Sequence, residues 1–174
     1  MILVIGGTRG TGLLITQLLE RRGASVRVLA RNPEAARARV GASVEIVAGD
    51  ITKAETLARS VDGITHVIFA AGVRSGHPAT EALSRATDYD GVINTLDAAR
   101  ASGFGGRFLY LTSCGVTVRS VFSVLLNKYK GNTLVWRERA ERAIRSSDID
   151  YTIIRAGMLL NKAGGQRSVR VTQD

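Results

Sequence analysis

The chain has 174 residues, 45% of them hydrophobic. That is one domain's worth, enough to bury about 70% of the unfolded surface. No apolar run approaches the roughly 20 residues of a membrane-spanning helix. A single cysteine, Cys114, excludes an internal disulfide and a cysteine-based metal cluster, and no metal site is expected. The net charge of +9 raises nucleic-acid binding, but only 5% of the residues are aromatic and the densest basic stretch, 137–145, is interleaved with Glu138 and Glu141 at helix-pair spacing. Attraction of a small anion is the better reading.

Residues 1–5 are an apolar run that reads as a first strand. It leads into Gly6-Gly7-Thr8-Arg9-Gly10-Thr11-Gly12, after which Leu13, Leu14, Gln17, Leu18 and Glu20 follow with an apolar face at helical spacing. Residues 25–30 read as the second strand, ending at Arg31. Strand, glycine turn, helix and strand is the order a dinucleotide site requires. Gly6 lets the chain leave the strand in a tight turn, Gly10 lets backbone approach a pyrophosphate, and Gly12 permits close packing of helix on strand. The helix behind them points free N–H groups at an anion.

The residue after the second strand selects between cofactors: a carboxylate suits the ribose hydroxyls of NAD, a guanidinium the 2′-phosphate of NADP. Arg31 holds that place and Arg9 can reach the same phosphate, so NADP(H) is expected over NAD(H). At roughly 1.5–3 kcal/mol for each charge-assisted contact, two would separate the cofactors by more than about a hundredfold.

Asn32-Pro33-Glu34 supplies an N-cap, a proline at the first helical position and an early acid, which predicts a short helix to about residue 39. Residues 43–48 read as the third strand, and Thr52-Lys53-Ala54-Glu55 as a capping box opening a helix to about residue 61. Residues 65–70 are the fourth strand, closed by Ala71-Gly72; a long helix spans about 79–101. The fifth strand is 107–112, a helix covers 133–146, and 151–155 is the sixth strand. This alternation predicts an α/β fold, a doubly wound parallel sheet of order 3-2-1-4-5-6 with helices on both faces. Ligands bind such a sheet beyond the carboxyl ends of its strands. That rule gathers the glycine turn, Arg31, Asp50, 70–72, 112–115 and 155–158 into one region.

The order and spacing of GGTRGTG, VLARNP, VAGDIT, FAAG, TDYDGVINTLDAAR, YLTSCG and RAERAIRSSDIDYTIIRAGML resemble the short-chain dehydrogenase/reductase superfamily, in particular its atypical, NmrA-like NAD(P)-binding Rossmann branch. The likeness covers almost the whole chain. It implies that Asp50 and Ile51 meet the adenine, that Ala70, Ala71 and Gly72 lie against the adenosine ribose, and that Arg155, Ala156 and Gly157 form the loop near the nicotinamide where the family has Arg-Pro-Gly. With Gly6, Thr8, Arg9, Gly10, Thr11, Gly12, Arg31, Thr112 and Ser113, these are the expected cofactor-binding residues.

The superfamily's reductases use a serine to orient a carbonyl, a tyrosine as general acid and a lysine four residues on. Ser113 matches the serine. The tyrosine and lysine are missing: aligning on Ala140-Glu141 puts Val135 and Arg139 in their frame, or Arg137 if the lysine sits two residues earlier. Ser113 and Arg139 are the candidate catalytic residues. Tyr129 is the nearest phenol, but Thr133 stands four residues after it. The resemblance therefore implies one of two activities. The first is an NADP(H)-dependent oxidoreductase acting on a small, readily reduced acceptor of flavin or quinone type, protonated from solvent or substrate. The second is a non-catalytic NADP(H)-binding redox sensor or scaffold that acts on a regulated protein.

Cys114 reads as a buried, inert thiol rather than a redox switch, and His77 as an ordinary loop histidine rather than a proton donor. His66 reads as structural, Trp136 as packing, and Glu138 and Glu141 as helix-surface partners. Neither a membrane nor nucleic acid is an expected partner, and a homo-oligomer is left open. Met1 opens directly onto the first strand, so no leader is seen and the cytoplasm is expected. The whole of 1–174 reads as a single domain whose end, 156–174, is an extended tail where the family has further elements over the substrate pocket. A naturally short form, a truncated one and a pocket completed by a partner all fit.

Overall fold

Short apolar runs build the sheet: ILVI makes β1 (Ile2–Ile5), VRVLA makes β2 (Val26–Ala30), and HVIF makes β4 (His66–Phe69). The computed structural model describes residues 1–73, 77–117, 120–157 and Leu159. With β3 (Glu45–Ala48), β5 (Arg107–Ser113) and β6 (Asp150–Ala156), the strands pair in parallel in the order β3-β2-β1-β4-β5-β6. This is the Rossmann order expected from the sequence.

Successive residues of β1 face opposite sides. Leu3 and Ile5 join a core with Val67, Phe69, Phe108, Tyr110, Leu96 and Ile144, while Val4 joins Val26, Val28, Val40 and Val44 on the other face. A strand covered on both faces needs apolar residues at every position, which is why β1 reads as a continuous run rather than an alternation.

The covering helices are α1 (Gly10–Arg21), α2 (Pro33–Arg37), α3 (Ala58–Val61), α4 (Glu81–Arg85), α5 (Gly91–Ala101), α6 (Val121–Tyr129) and α7 (Thr133–Arg145). Asn32 caps α2 as expected, its Oδ1 accepting from the Ala35 N–H at 2.9 Å, although α2 ends two residues short of the predicted 39. No helix among the described residues is long and apolar enough to cross a membrane. Of 156–174, read from sequence as an extended tail, Ala156 closes β6, and Met158 and residues 160–174 lie outside the described residues.

Three elements differ from the sequence expectation. The capping box at 52–55 does not form: the Thr52 hydroxyl donates to Asp50 Oδ1 at 2.9 Å, and a short 3₁₀ turn, Ala54–Thr56, precedes α3. The long helix is interrupted by a π turn, Ala86–Asp90, between α4 and α5. Its buried stripe, Ser84, Asp88, Val92 and Leu96, keeps a spacing of four. That spacing drifts about 40° per step around a 3.6-residue helix, and one wider turn absorbs the drift. Finally, α6 was not expected. Ser120 caps it, accepting from the Ser123 N–H at 3.1 Å. Its Val121, Phe122, Val124 and Leu125 are all exposed, so it lacks the one-sided apolar face that marks a core helix.

Candidate functional site

The sheet reverses its winding between β1 and β4, and there the glycine turn meets the end of β4. Gly6 has φ +81°, and a Cβ on it would lie 2.7 Å from the Ala71 nitrogen. Gly12 packs closer still, its Cβ position falling 2.2 Å from the Gly6 carbonyl oxygen. Gly10, at φ +54°, has nothing within 4 Å of its Cβ position. Three glycines thus fill three roles: left-handed backbone, contact with backbone, and open space in front of a helix N-terminus. Arg9 stands at the N-cap of α1 and is exposed, no acid occupies the first turn of α1, and Thr8 and Thr11 are half-buried beside it.

At the ends of the next strands, Arg31 is exposed and Asp50 half-buried. Burial works to raise the Asp50 carboxyl. It is outweighed by hydrogen bonds from the Thr52 N–H and hydroxyl and by the charges of Arg31 and Lys53, so the group is held below the usual carboxylate range. Arg31 and Asp50 are therefore neighbours across the β2–β3 edge. Ile51 is fixed from the other side: Asn94 Nδ2 donates to its carbonyl at 2.8 Å, and its side chain fills the space a Cβ on Gly91 would need.

Ser113 ends β5 half-buried and lies in register with Ala156, as Thr112 does with Arg155, so the 112–115 and 155–157 segments adjoin. The Arg155 guanidinium turns inward to Glu141, Nη2 to Oε2 at 2.8 Å, and Gly157 is exposed. Glu141 is not the surface partner expected from its spacing. It is 2% exposed, because α7 turns that face to the sheet and Arg155 replaces its water. Cys114 is not buried either: it is exposed, with Sγ donating to the Arg155 carbonyl at 3.1 Å. Trp136 packs as expected, its ring close to the guanidinium groups of Arg85 and Arg139 and against Tyr89. His77 and His66 are both exposed; the His77 carbonyl accepts from the Lys130 ammonium.

Of the two arginines in the lysine frame, Arg139 lies over the Trp136 ring at 4.6 Å and Arg137 lies over Gly72. Two residues apart on a helix, they face opposite ways. A Cβ on Gly72 would sit 2.5 Å from Arg137 Nη2 and 3.1 Å from Asp88 Oδ1. Asp88 itself is 1% exposed, with Thr133 Oγ1 donating to its Oδ2 at 2.6 Å. Burial raises its carboxyl above the ordinary value, against the opposing pull of Arg137 and Thr133. Asp88 was not singled out by sequence reasoning. Its signal was a carboxylate on the buried stripe of a helix.

The family model described as NAD(P)H-binding matches residues 6–174. The chain belongs to the NAD(P)H-binding family. It is of the NmrA-like type of atypical short-chain dehydrogenase/reductase. Among curated proteins, this NAD(P)H-binding chain is 30% identical over 190 residues to an uncharacterised chloroplastic protein of Arabidopsis thaliana, covering 99% of the chain and 57% of that protein. It is 29% identical over 207 residues to sanguinarine reductase of Eschscholzia californica, covering 99% of the chain and 74% of the reductase. Among solved structures, a candidate NAD-dependent epimerase/dehydratase of Bacillus halodurans matches with a TM-score of 0.78 at 25% identity, over 94% of the chain and 73% of that protein. The chain thus spans little more than half of the Arabidopsis relative and about three-quarters of the other two.

Proposed function

We propose that this NAD(P)H-binding chain is an NADP(H)-dependent oxidoreductase domain that acts on a small, readily reduced acceptor of flavin or quinone type. The observation that carries the reading is the open space in front of Gly10 at the N-terminus of α1, between exposed Arg9 and the end of β4. A dinucleotide fits that cradle: Gly6, Thr8, Gly10, Thr11 and Gly12 would hold its pyrophosphate, Asp50 and Ile51 its adenine, and Ala70 to Gly72 with Thr112 its riboses. Arg31 and Arg9 would hold the 2′-phosphate, which favours NADP(H). The bound nicotinamide supplies a hydride.

The chain's own residues bind and orient. Ser113 offers a hydroxyl to an acceptor oxygen, and Arg137 supplies positive potential beside Gly72 in the lysine's place. The segment 155–157 lies alongside. The sanguinarine reductase relative supports a reductase. We take 1–174 as one domain that supplies the cofactor side of the site. The test is loss of NADPH absorbance by purified chain with menadione or FMN. Turnover that Ser113→Ala lowers by about tenfold or more is expected; NADPH binding without consumption by any acceptor would refute the enzyme.

One observation favours the sensor reading. Taking Arg137 as the lysine position makes Thr133 the tyrosine position, and its hydroxyl is already donated to Asp88. A threonine so engaged is no general acid. A redox sensor would bind NADPH, turn nothing over, and change its affinity for a partner protein with the cofactor's redox state.

A further inference from the structure

A buried carboxylate is strongly unfavourable unless charge and hydrogen bonds replace its water. For Asp88, 1% exposed in the π turn, the replacements come from both sides of the end of β4. Thr133 Oγ1 at the start of α7 donates to Oδ2 at 2.6 Å, the Val73 N–H donates from the segment after β4, and Arg137 Nε lies 3.4 Å from Oδ1. Thr133 thus fixes one oxygen and leaves the other turned to the guanidinium. The pair lies directly over Gly72, next to the residue that Gly6 touches, and any side chain at 72 would displace it. Arg137 is 21% exposed, and its Nη groups make no hydrogen bond among the described residues. Single π turns of this kind concentrate at functional sites, and Asp88 sits within this one with Thr133 and Arg137 of α7 against its carboxylate.

We propose that Asp88 is a positioning residue for the cofactor: with Thr133 it holds Arg137 by Nε across Gly72, leaving both Nη groups for oxygens of the dinucleotide at the winding reversal. This rests on the dinucleotide reading above. A free arginine samples many rotamers, and a guanidinium tied at Nε presents a fixed fork. The arrangement also gives Thr133 a purpose other than that of the missing phenol: it orients the carboxylate. Lys130 feels the charges of both Asp88 and Arg137, and would be left with the repulsion of the guanidinium if the carboxylate were removed.

The test is calorimetric titration with NADPH of wild type, Asp88→Asn, Arg137→Met and the double variant, with circular dichroism melts to check folding. Asp88→Asn and Arg137→Met should each weaken NADPH binding by about tenfold, and the double variant should bind no more weakly than Arg137→Met alone. Because Asp88→Asn leaves that repulsion unopposed and can fail to fold, Thr133→Val and Thr133→Ser provide a second route. Thr133→Val should lose about three- to fivefold in affinity, and Thr133→Ser, which keeps the hydroxyl, should bind within about twofold of wild type. Multiplying losses in the double variant, or Thr133→Val binding like wild type, would overturn the role of Asp88 and leave the dinucleotide site standing. Absence of NADPH binding by the wild type would overturn both.

Discussion

Alanine at Gly12 and alanine at Gly10 should fail in different ways, because one added methyl meets backbone and the other meets nothing. At Gly12 the Cβ would fall 2.2 Å from the Gly6 oxygen and 2.7 Å from its carbon. Neither is a flexible side chain, so α1 must move away from the turn. Overpacking costs about 1–3 kcal/mol, and backbone contacts this short put Gly12→Ala at about 3. For a domain of this size that is a fall in Tm of about 6–12 °C, with weakened NADPH binding as a secondary effect. At Gly10 the Cβ position is open and only the left-handed φ of +54° opposes alanine. The strain is about 1–2 kcal/mol, a Tm loss of about 2–8 °C. Its methyl nevertheless fills space in front of the helix N-terminus, and NADPH affinity should fall by more than about a hundredfold, or about 2.7 kcal/mol. Thermal melts followed by circular dichroism and calorimetric titrations separate the two. A Gly10→Ala chain that binds NADPH like wild type would refute the placement of the pyrophosphate, and a Gly12→Ala chain that melts like wild type would refute the close packing.

Arg31→Ala should weaken NADPH binding by about tenfold or more while leaving NADH binding nearly unchanged; equal losses by titration would remove Arg31 from the 2′-phosphate. The Asp50 carboxyl, titrated by carbon NMR, should stay below its ordinary value of 3.8 and rise toward it in Thr52→Val, which removes the hydroxyl donor. Because its folded-state value is depressed, Asp50 contributes stability above that ordinary value and loses it as pH falls through the folded value. A higher carboxyl pKa in the wild type would contradict the Thr52 hydrogen bonds. Glu141→Ala removes the buried partner of Arg155 and should cost about 3 kcal/mol, a Tm loss of about 6–12 °C. A loss under about 1 kcal/mol would mean that the pair is solvated.

The centre of the sheet was legible because β1 and β2 are buried along most of their length, so their apolar runs stand out without any alternation, and because the glycine turn follows β1 directly. Elements that do not follow the core pattern were not. Helix α6 shows its apolar side chains to solvent, so no one-sided face announced it; Ser120 before an apolar run was the available cue. The residues 52–55 carry the right letters for a capping box, but Asp50 two residues earlier competes for Thr52 and wins. In the candidate site, the geometry of the turn from Gly6 to Gly12 was readable from spacing, since it depends on backbone. The environment of Glu141 was not, because helix-pair spacing is equally satisfied on a solvated face and on one turned to Arg155. The burial of Asp88 and the place of Arg137 over Gly72, with Arg139 over Trp136, depend on the π turn and on which face of α7 meets the sheet. Both are tertiary outcomes, although a carboxylate among Ser84, Val92 and Leu96 marked the place.

The most direct measurement is calorimetric titration of the purified chain with NADPH and, separately, with NADH at moderate salt. Binding of NADPH more than about a hundredfold tighter than NADH is expected from two arginines at the 2′-phosphate. No binding of either cofactor would contradict the central claim that the turn from Gly6 to Gly12 and the end of β4 form a working dinucleotide site.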